Sequence, residues 1–169
     1  MNSQQFDNTN FQTPSWVCQY MADSVIGGSH LNILEPTPGE GHLVSELKSR
    51  GHNVIAPVDF YKEVLLPHYD YIVMNPPFTP MNKGYKILYD CMELSDNIVA
   101  LMPWLTIINS QKRTKLLVDF GLDAITHLPR NAFPGSRVQT CILHLHRGTK
   151  GMHTILKFIE FENTNYRFI

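Results

Sequence analysis

The stretch Tyr71-Ile72-Val73-Met74-Asn75-Pro76-Pro77-Phe78 decides the fold, because a strand-like apolar run passes without a break into a proline corner. A short apolar run of this kind is typical of a buried strand. The successive prolines delete backbone N–H donors and fix φ near about −65°, so the corner presents its carbonyl groups rigidly. The sequence therefore predicts a set of hydrogen-bond acceptors at the end of a central strand.

Such acceptors suit the exocyclic amine of a nucleobase, which is a poor nucleophile because its lone pair is delocalised into the ring. The side-chain oxygen of Asn75 and the main-chain carbonyl of Pro76 are suited to accept both amine hydrogens, which localises the lone pair. Phe78 would then stack on the base. Taken alone, the four residues are equally well explained as a turn after a buried strand, and only their context favours a site.

A strand, a glycine turn and a helix precede this corner. The apolar run at 31–35 leads into Glu35–Gly41, and the apolar spacing after it predicts a helix over 41–50. Gly39 and Gly41 allow close approach of a ligand, and the start of a helix favours an anionic group. Val44 occupies the third glycine position of the dinucleotide motif, which argues against a standard NAD site.

An acidic residue follows the next predicted strand. Asp59 lies about 20 residues beyond Gly39, at a place where a carboxylate can bind the two hydroxyls of a ribose. By itself, Asp59 is better explained as a turn residue at the end of a strand. Its position relative to the glycine turn is what makes it a candidate.

Together these segments resemble the class I S-adenosylmethionine (AdoMet)-dependent methyltransferases, specifically the N6-adenine DNA methyltransferases, whose catalytic motif is Asn/Asp-Pro-Pro-Phe/Tyr/Trp. The resemblance covers most of the chain. Four segments match the family's motifs in the family's order: Phe11–Val17, Glu35–Gly41, Tyr69–Phe78, and 128–135 with 138–143.

The resemblance implies AdoMet as the cofactor and adenine in DNA as the substrate. It implies that Glu35 faces the methionine moiety of AdoMet and that Thr13 and Pro14 cover the cofactor. Phe133 corresponds to a second aromatic residue of the base pocket, although a core role for it is equally expected. The implied catalytic residues are Asn75, Pro76, Pro77 and Phe78. The implied cofactor-binding residues are Thr13, Pro14, Glu35, Pro36, Gly39, Gly41, Asp59, Phe60 and Asn75.

The chain departs from the family after its second strand. Family members have one acidic residue for the ribose and a second, in an Asp-Phe pair after the third strand, near the adenine of the cofactor. Here only Asp59-Phe60 is present, 16 positions before Asn75. Whether Asp59 binds ribose or adenine is therefore open, and the third strand is expected to be missing or vestigial.

Bulk composition predicts one catalytic domain over residues 1–169. The hydrophobic content of 43% and the charged fraction of 17% are globular values. No apolar run approaches the roughly 18 residues of a membrane span, and the polar N-terminus is unlike a signal peptide. The three cysteines form no Cys-x-x-Cys pair, which suits reduced thiols. These properties predict a cytoplasmic protein with no membrane partner.

The net charge of −1 requires that any contact with DNA come from local basic patches. Arg130 and Arg137 flank the predicted Phe133 turn, where the phosphate of a flipped nucleotide would pass. Lys83 follows the catalytic corner, and Lys112 lies in a Lys/Arg cluster before an apolar helix. For the Lys112 cluster, a solvated helix face is the more ordinary interpretation.

No metal site is predicted. His144 and His146 alternate along a strand and would share one face, but no third ligand lies nearby in the sequence. We interpret them as ordinary strand histidines. Methyl transfer needs no metal, and no general base is proposed, since the methylated amine can lose its proton to water.

The alternation of elements predicts an α/β fold: a doubly wound, mostly parallel sheet of the Rossmann-like kind, with one antiparallel strand among the last strands. The predicted helices are 14–26, 41–50, 83–94 and 109–120. The predicted strands are 31–35, 53–58, 70–74, 97–102, 123–128, 138–146 and 152–162, the last of these at an edge; the tail from Asn163 is uninformative.

Sequence-specific members of the family carry a target-recognition domain, and this chain has no room for one. We therefore expect a low or very short sequence preference, or a partner that supplies specificity; a homodimer is a further possibility. Two other functions stay open. One is methylation of an RNA base or a protein glutamine, and the other is a non-catalytic subunit that binds AdoMet or nucleic acid.

Overall fold

The computed structural model describes residues 12–63, 66–162 and 165–169. The strands of this part are β1 (Asn32–Leu34), β2 (Asn53–Ile55), β3 (Tyr71–Met74), β4 (Asn97–Pro103), β5 (Leu122–His127), β6 (Thr140–His146), β7 (Ile155–Glu162) and β8 (Asn165–Phe168). The α-helices are α1 (Ser15–Asp23), α2 (His42–Ser49), α3 (Met81–Cys91), α4 (Leu105–Ile108) and α5 (Gln111–Phe120).

The strands form one sheet in the order β2-β1-β3-β4-β6-β5-β7-β8. β1, β2, β3 and β4 run parallel, β6 is antiparallel to β4 and β5, and β7 is parallel to β5. The predicted α/β fold with an antiparallel strand among the last strands is thus confirmed. β8, which is antiparallel to β7, is a second antiparallel strand that the sequence did not predict.

The prediction that 152–162 forms an edge strand is wrong, because β7 lies between β5 and β8, and β8 is the edge. The single helix predicted over 109–120 is α5, and the short helix α4 precedes it. The expected loss of a third strand agrees with the structure: no strand is found in 56–63 or 66–70, the described residues between β2 and β3.

Two apolar cores lie on opposite faces of the sheet, because successive side chains of a strand alternate between faces. On β3, Ile72 and Met74 contact the cluster beneath α3 and α5, whereas Val73 contacts the cluster beneath α1 and α2. β3 and β4 are therefore buried on both sides, which explains their continuous apolar sequences.

The C-terminal hairpin holds α1 against the sheet. The ring of Phe161 on β7 stacks on Trp16 at 4.9 Å, and Tyr166 on β8 packs edge-on against Tyr20 at 5.1 Å. The hydroxyl of Tyr166 donates to the carboxylate of Asp23 at 2.5 Å. The hairpin formed by β7 and β8 thus positions α1.

His144 belongs to a small polar network between α1, β5 and β6. The Tyr20 hydroxyl lies 2.6 Å from Thr126 Oγ1, which lies 2.9 Å from His144 Nε2. Burial lowers the pKa of His144 to about 4, so the ring is neutral near pH 7. No helix among the described residues is long and apolar enough to cross a membrane.

Candidate functional site

A cavity of about 830 Å³ opens at the carboxyl ends of β1 and β3. The strand order changes direction between these two strands, which is where open α/β sheets bind their ligands. Its lining comes from segments far apart in sequence: 12–13, 35–39, 58–62 and 75–79, with further side chains from α2, α3 and 133–140.

Asn75 is the first residue after β3 and lines the cavity. Its amide nitrogen donates to Thr13 Oγ1 at 2.7 Å, so the carbonyl Oδ1 is the group that stays available as an acceptor. Thr37 Oγ1 lies 3.1 Å from the main-chain oxygen of Asn75. Pro76, Pro77 and Phe78 complete this corner and also line the cavity.

Helix α3 begins directly after the corner and lies closely against it. Gly84 is buried in this helix, and a Cβ atom built on it would lie 2.6 Å from the main-chain oxygen of Pro77 and 3.6 Å from Pro76 Cβ. A contact of 2.6 Å is too short for a carbon and a carbonyl oxygen. Only glycine therefore allows the helix to approach the corner this closely.

Glu35 follows β1 and is 1% exposed. Its Oε1 accepts the backbone N–H of Thr37 at 2.8 Å and lies 3.0 Å from the Thr37 hydroxyl. Burial raises the pKa of Glu35 to about 8, and the two contacts with Thr37 oppose that rise only partly. A buried carboxyl of this kind binds a cationic ligand group favourably, because the cation restores its charged form.

The glycine turn lies beside Glu35 and takes a backbone conformation that other residues rarely adopt. Gly39 has φ +54° and lines the cavity, where a Cβ would lie 3.7 Å from Gln12 Oε1. Gly41 has φ +81° and forms the N-cap of α2, but it does not line the cavity. Pro14 is likewise outside the lining and is the N-cap of α1. Pro36 does line the cavity.

Asp59 and Phe60, which follow β2, form another part of the cavity wall. The carboxylate of Asp59 is 2.8 Å from Lys62 Nζ, and this contact, with the backbone N–H of Tyr61, holds the pKa of Asp59 below its usual range. Phe60 is buried beneath it, whereas Val58 is 97% exposed at the rim. The wall thus offers a carboxylate next to an exposed apolar side chain.

Phe133 lies both in the apolar core and at the cavity, the two positions expected for it. It is 7% exposed and packs in the cluster beneath α1 and α2, yet it also lines the cavity. Phe78 is half-buried and packs against the same cluster. The two rings that were predicted to enclose a base therefore pack in or against the same apolar cluster. This cluster fixes the position of Phe133.

The basic residues divide into two groups. Lys83 and Arg137 line the cavity. Arg130 is exposed on a 3-10 turn beyond the lining, and Lys112 borders a separate shallow groove of about 240 Å³. The structure therefore does not bring Lys112 to the candidate site.

The two strand histidines contact polar side chains of the protein. The ring of His144 is engaged in the network with Thr126, and His146 Nδ1 contacts the side-chain oxygen of Asn97. In 12–63, 66–162 and 165–169, no group of three or more His, Cys, Asp or Glu side chains is arranged to hold a metal ion.

Several lining residues were missed by sequence reasoning. Thr37, which bridges Glu35 and Asn75, sits between the two prolines of the glycine turn, and its hydroxyl was the signal that could have identified it. Val58 directly precedes Asp59, and Lys62 follows Asp59 by three positions; neither gave such a signal. Lys62 became a candidate only through its ion pair with Asp59.

Comparison with known proteins supports the fold. No protein-family model and no curated protein matches the chain in sequence. Among solved structures, it is similar to a modification subunit from Vibrio vulnificus YJ016 attributed to a type I restriction enzyme. The TM-score is 0.70 at 16% identity, over 94% of this chain and 49% of the other.

Two further structures are similar. One is the type I restriction-modification methyltransferase subunit from Streptococcus thermophilus, with a TM-score of 0.67 at 15% identity, over 94% of this chain and 50% of that one. The other is the 23S rRNA methyltransferase ErmE, with a TM-score of 0.61 at 18% identity, over 82% and 70% of the two chains.

The chain has the fold of these methyltransferases. It spans about half the length of the two restriction-modification subunits. The resemblance predicted from the four sequence motifs is thus confirmed at the level of the methyltransferase fold. The cavity lies where the predicted cofactor and catalytic segments of that fold meet, whereas the roles of individual residues stay predictions.

Proposed function

We propose that this chain transfers a methyl group from AdoMet to the exocyclic N6 amine of adenine in DNA. The observation that supports this most is the Asn75 corner, because Thr13 holds the amide nitrogen and leaves an oxygen facing a cavity at the switch point of the sheet. This arrangement supplies the acceptor that an aromatic amine needs before it can react.

The residues of the cavity fit AdoMet. A volume of about 830 Å³ lies within the roughly 300–1,000 Å³ of small-molecule sites. Buried Glu35 suits the cationic methionine end, and ionised Asp59 suits hydroxyl groups of a ribose. Bound there, AdoMet would supply an electrophilic methyl group on a sulfonium sulfur.

The chain's own contribution is to orient the amine. The oxygen of Asn75 and the carbonyl of Pro76 accept its two hydrogens, so the nitrogen lone pair points away from the base ring. Phe78 and Phe133 fix the plane of the base. No side chain is assigned as a base, because the methylated amine is acidic enough to release its proton to water.

An RNA base is the second candidate substrate, and the observation that favours it is the similarity to an rRNA methyltransferase. The same acceptors would serve an amine of RNA. A protein glutamine and a non-catalytic role are weaker alternatives, because nothing in the cavity favours them over a nucleobase.

The decisive experiment is transfer of tritiated methyl groups from AdoMet to double-stranded DNA, single-stranded DNA and RNA, measured side by side. We expect incorporation into adenine of DNA, and a loss of about a hundredfold or more with Asn75→Ala. Lys112→Ala, outside the cavity, is the matched control. Transfer that is insensitive to Asn75, or confined to RNA, would refute the proposal.

We further propose that sequence preference is short or is supplied by a partner, including a second copy of the chain. Reading several base pairs requires several side chains that reach base edges. The described segments that border the cavity, 56–63, 75–80 and 128–139, contain one regular element, the 3-10 turn Arg130–Ala132. Methylation of a mixed-sequence DNA library should give a preference of few bases, and a long defined motif from the purified chain would contradict this.

A further inference from the structure

Beyond the cavity, three ring side chains form a row on the sheet. Trp104 follows β4, His127 ends β5, and Phe158 lies on the neighbouring strand β7. The ring centres of Trp104 and His127 are 5.7 Å apart, and those of His127 and Phe158 are 5.6 Å apart. We call these three residues the aromatic row.

The aromatic row faces solvent on the α3 and α5 side of the sheet. Thr126 contacts Tyr20 of α1, so the next residue, His127, points to the opposite face, and so does its β7 partner Phe158. Phe158 is 43% exposed, and Trp104 and His127 are half-buried. An exposed phenylalanine beside two further rings is a surface on which planar groups can stack.

The row also carries a hydrogen-bond donor. The indole N–H of Trp104 donates to His127 Nδ1 at 2.8 Å. In the neutral ring, this contact places the proton on Nε2, which is then the hydrogen-bond donor of His127.

The row is continuous with the cavity. The backbone N–H of Trp104 donates to the carbonyl of Gln139 at 2.9 Å, and the residues on both sides of Gln139, Val138 and Thr140, line the cavity. A chain that leaves the cavity past this segment therefore meets Trp104 first and Phe158 last.

Two exposed arginines lie on the connection that follows His127. Arg130 is three residues beyond His127, so at most about 11 Å separates their backbones. Arg137 lines the cavity at the other side of the same connection. Both guanidinium groups are exposed, and in the described part of the chain neither forms an ion pair. Aromatic rings together with unpaired cations are the chemistry that binds a single nucleic-acid strand.

From these observations we infer that the aromatic row binds the unpaired strand that flanks the target base, with bases stacked on Phe158 and Trp104 and the backbone held by Arg130 and Arg137. This inference rests on the proposed function, and it adds a binding surface outside the methyl-transfer cavity. A protein partner or a second copy on the same surface is the competing outcome of the test.

The test measures binding of a fluorescent single-stranded oligodeoxynucleotide by anisotropy, without AdoMet. Phe158→Ala should weaken binding at least about fivefold, and Phe158→Leu should weaken it similarly, because leucine keeps the apolar contact but loses the ring face. Phe158→Trp should retain the affinity of the wild type. Arg130→Ala should reduce the salt dependence of binding, whereas Phe158→Ala should not.

Phe168→Ala is the matched control, since Phe168 is another exposed phenylalanine, on β8, and its ring packs edge-on against Tyr20 of α1. Strand binding should also quench the fluorescence of Trp104, because the other tryptophan, Trp16, is only 8% exposed. Equal affinities of Phe158→Ala and Phe168→Ala would overturn the inference. So would wild-type affinity of Phe158→Leu together with concentration-dependent self-association.

Substrates of two lengths distinguish a failure of this inference from a failure of the proposed function. Methyl transfer to an adenine-containing trinucleotide should be unchanged in Phe158→Ala, while the KM for a long single strand should rise. Absence of transfer by the wild type would refute the proposed function but leave the anisotropy result valid. Normal transfer with unchanged KM in Phe158→Ala would refute only the aromatic row.

Discussion

Asn75 shows what a single residue type can predict and what it cannot. Its place after an apolar run, before two prolines, predicted an acceptor at the end of a strand, because the local chain geometry follows from proline. Its partner Thr13 lies 62 positions away in sequence. Thr13 was predicted to cover a cofactor, and only the fold shows that it also orients the Asn75 amide.

Glu35 gives a prediction about pH. Because burial raises its pKa from 4.5 to about 8, the native protein holds a proton between these values that the unfolded chain releases. The free energy of unfolding should therefore fall as pH rises through this window, by on the order of a few kcal/mol. Urea unfolding of the ligand-free protein at several values from about pH 5 to 8 measures this change.

Glu35→Gln is the control for that measurement, since it keeps the shape of the side chain and removes the titration. The variant should lose most of the decline in stability between pH 5 and 8 that the wild type shows. A wild type and a Glu35→Gln variant with parallel pH profiles would mean that Glu35 is ionised in the native state.

At the scale of elements, the contact between α3 and the corner at 75–78 has a direct consequence. Alanine normally stabilises a helix relative to glycine, by up to about 1 kcal/mol. At Gly84, however, the added Cβ would press on the Pro77 carbonyl at 2.6 Å, so either the helix or the corner must move. The corner carries the proposed acceptors, and their displacement should affect reaction more than folding.

Gly84→Ala should therefore lower kcat for methyl transfer by about tenfold or more, with KM for AdoMet nearly unchanged. Steady-state kinetics and calorimetric titration of AdoMet measure the two effects. Gly148→Ala is the control, because the three atoms nearest to its Cβ all belong to the side chain of His146, the closest at 2.9 Å, and neither residue lines the cavity. Equal loss of AdoMet binding and kcat in Gly84→Ala would indicate general disruption instead.

Two elements, β8 and α4, were not predicted from the sequence, and there is a physical reason for each. β8 contains alternating polar and aromatic residues, and its aromatic side chains pack on α1, more than 140 positions earlier in the chain. No local pattern reveals such a contact. α4 has only four residues, too few to show a helical period. By contrast, β3 and β4 were predictable, because burial on both faces makes them continuously apolar.

At the scale of the molecule, the order of elements predicted the sheet and the end of the sheet that carries the cavity. It did not predict which side chains meet there. Lys112 and Pro14 were chosen from sequence position and lie outside the lining. Thr37, which contacts Asn75, and Lys62, which pairs with Asp59, belong to it. The order of elements in the sequence predicts which loop a residue lies on. It does not predict the direction in which the side chain points.

Because the cavity joins segments from Gln12 to Thr140, a ligand that fills it should stabilise the whole molecule. Under the proposed function, AdoMet at about a hundredfold excess over its dissociation constant should add about 2.7 kcal/mol to the free energy of unfolding. For a chain of this size, that corresponds to an increase in Tm of roughly 5–10 °C. Differential scanning calorimetry at increasing AdoMet concentration measures the shift. Asp59→Ala should abolish most of it and Lys112→Ala should not; an unchanged Tm in the wild type at high AdoMet would exclude this cavity as the cofactor site.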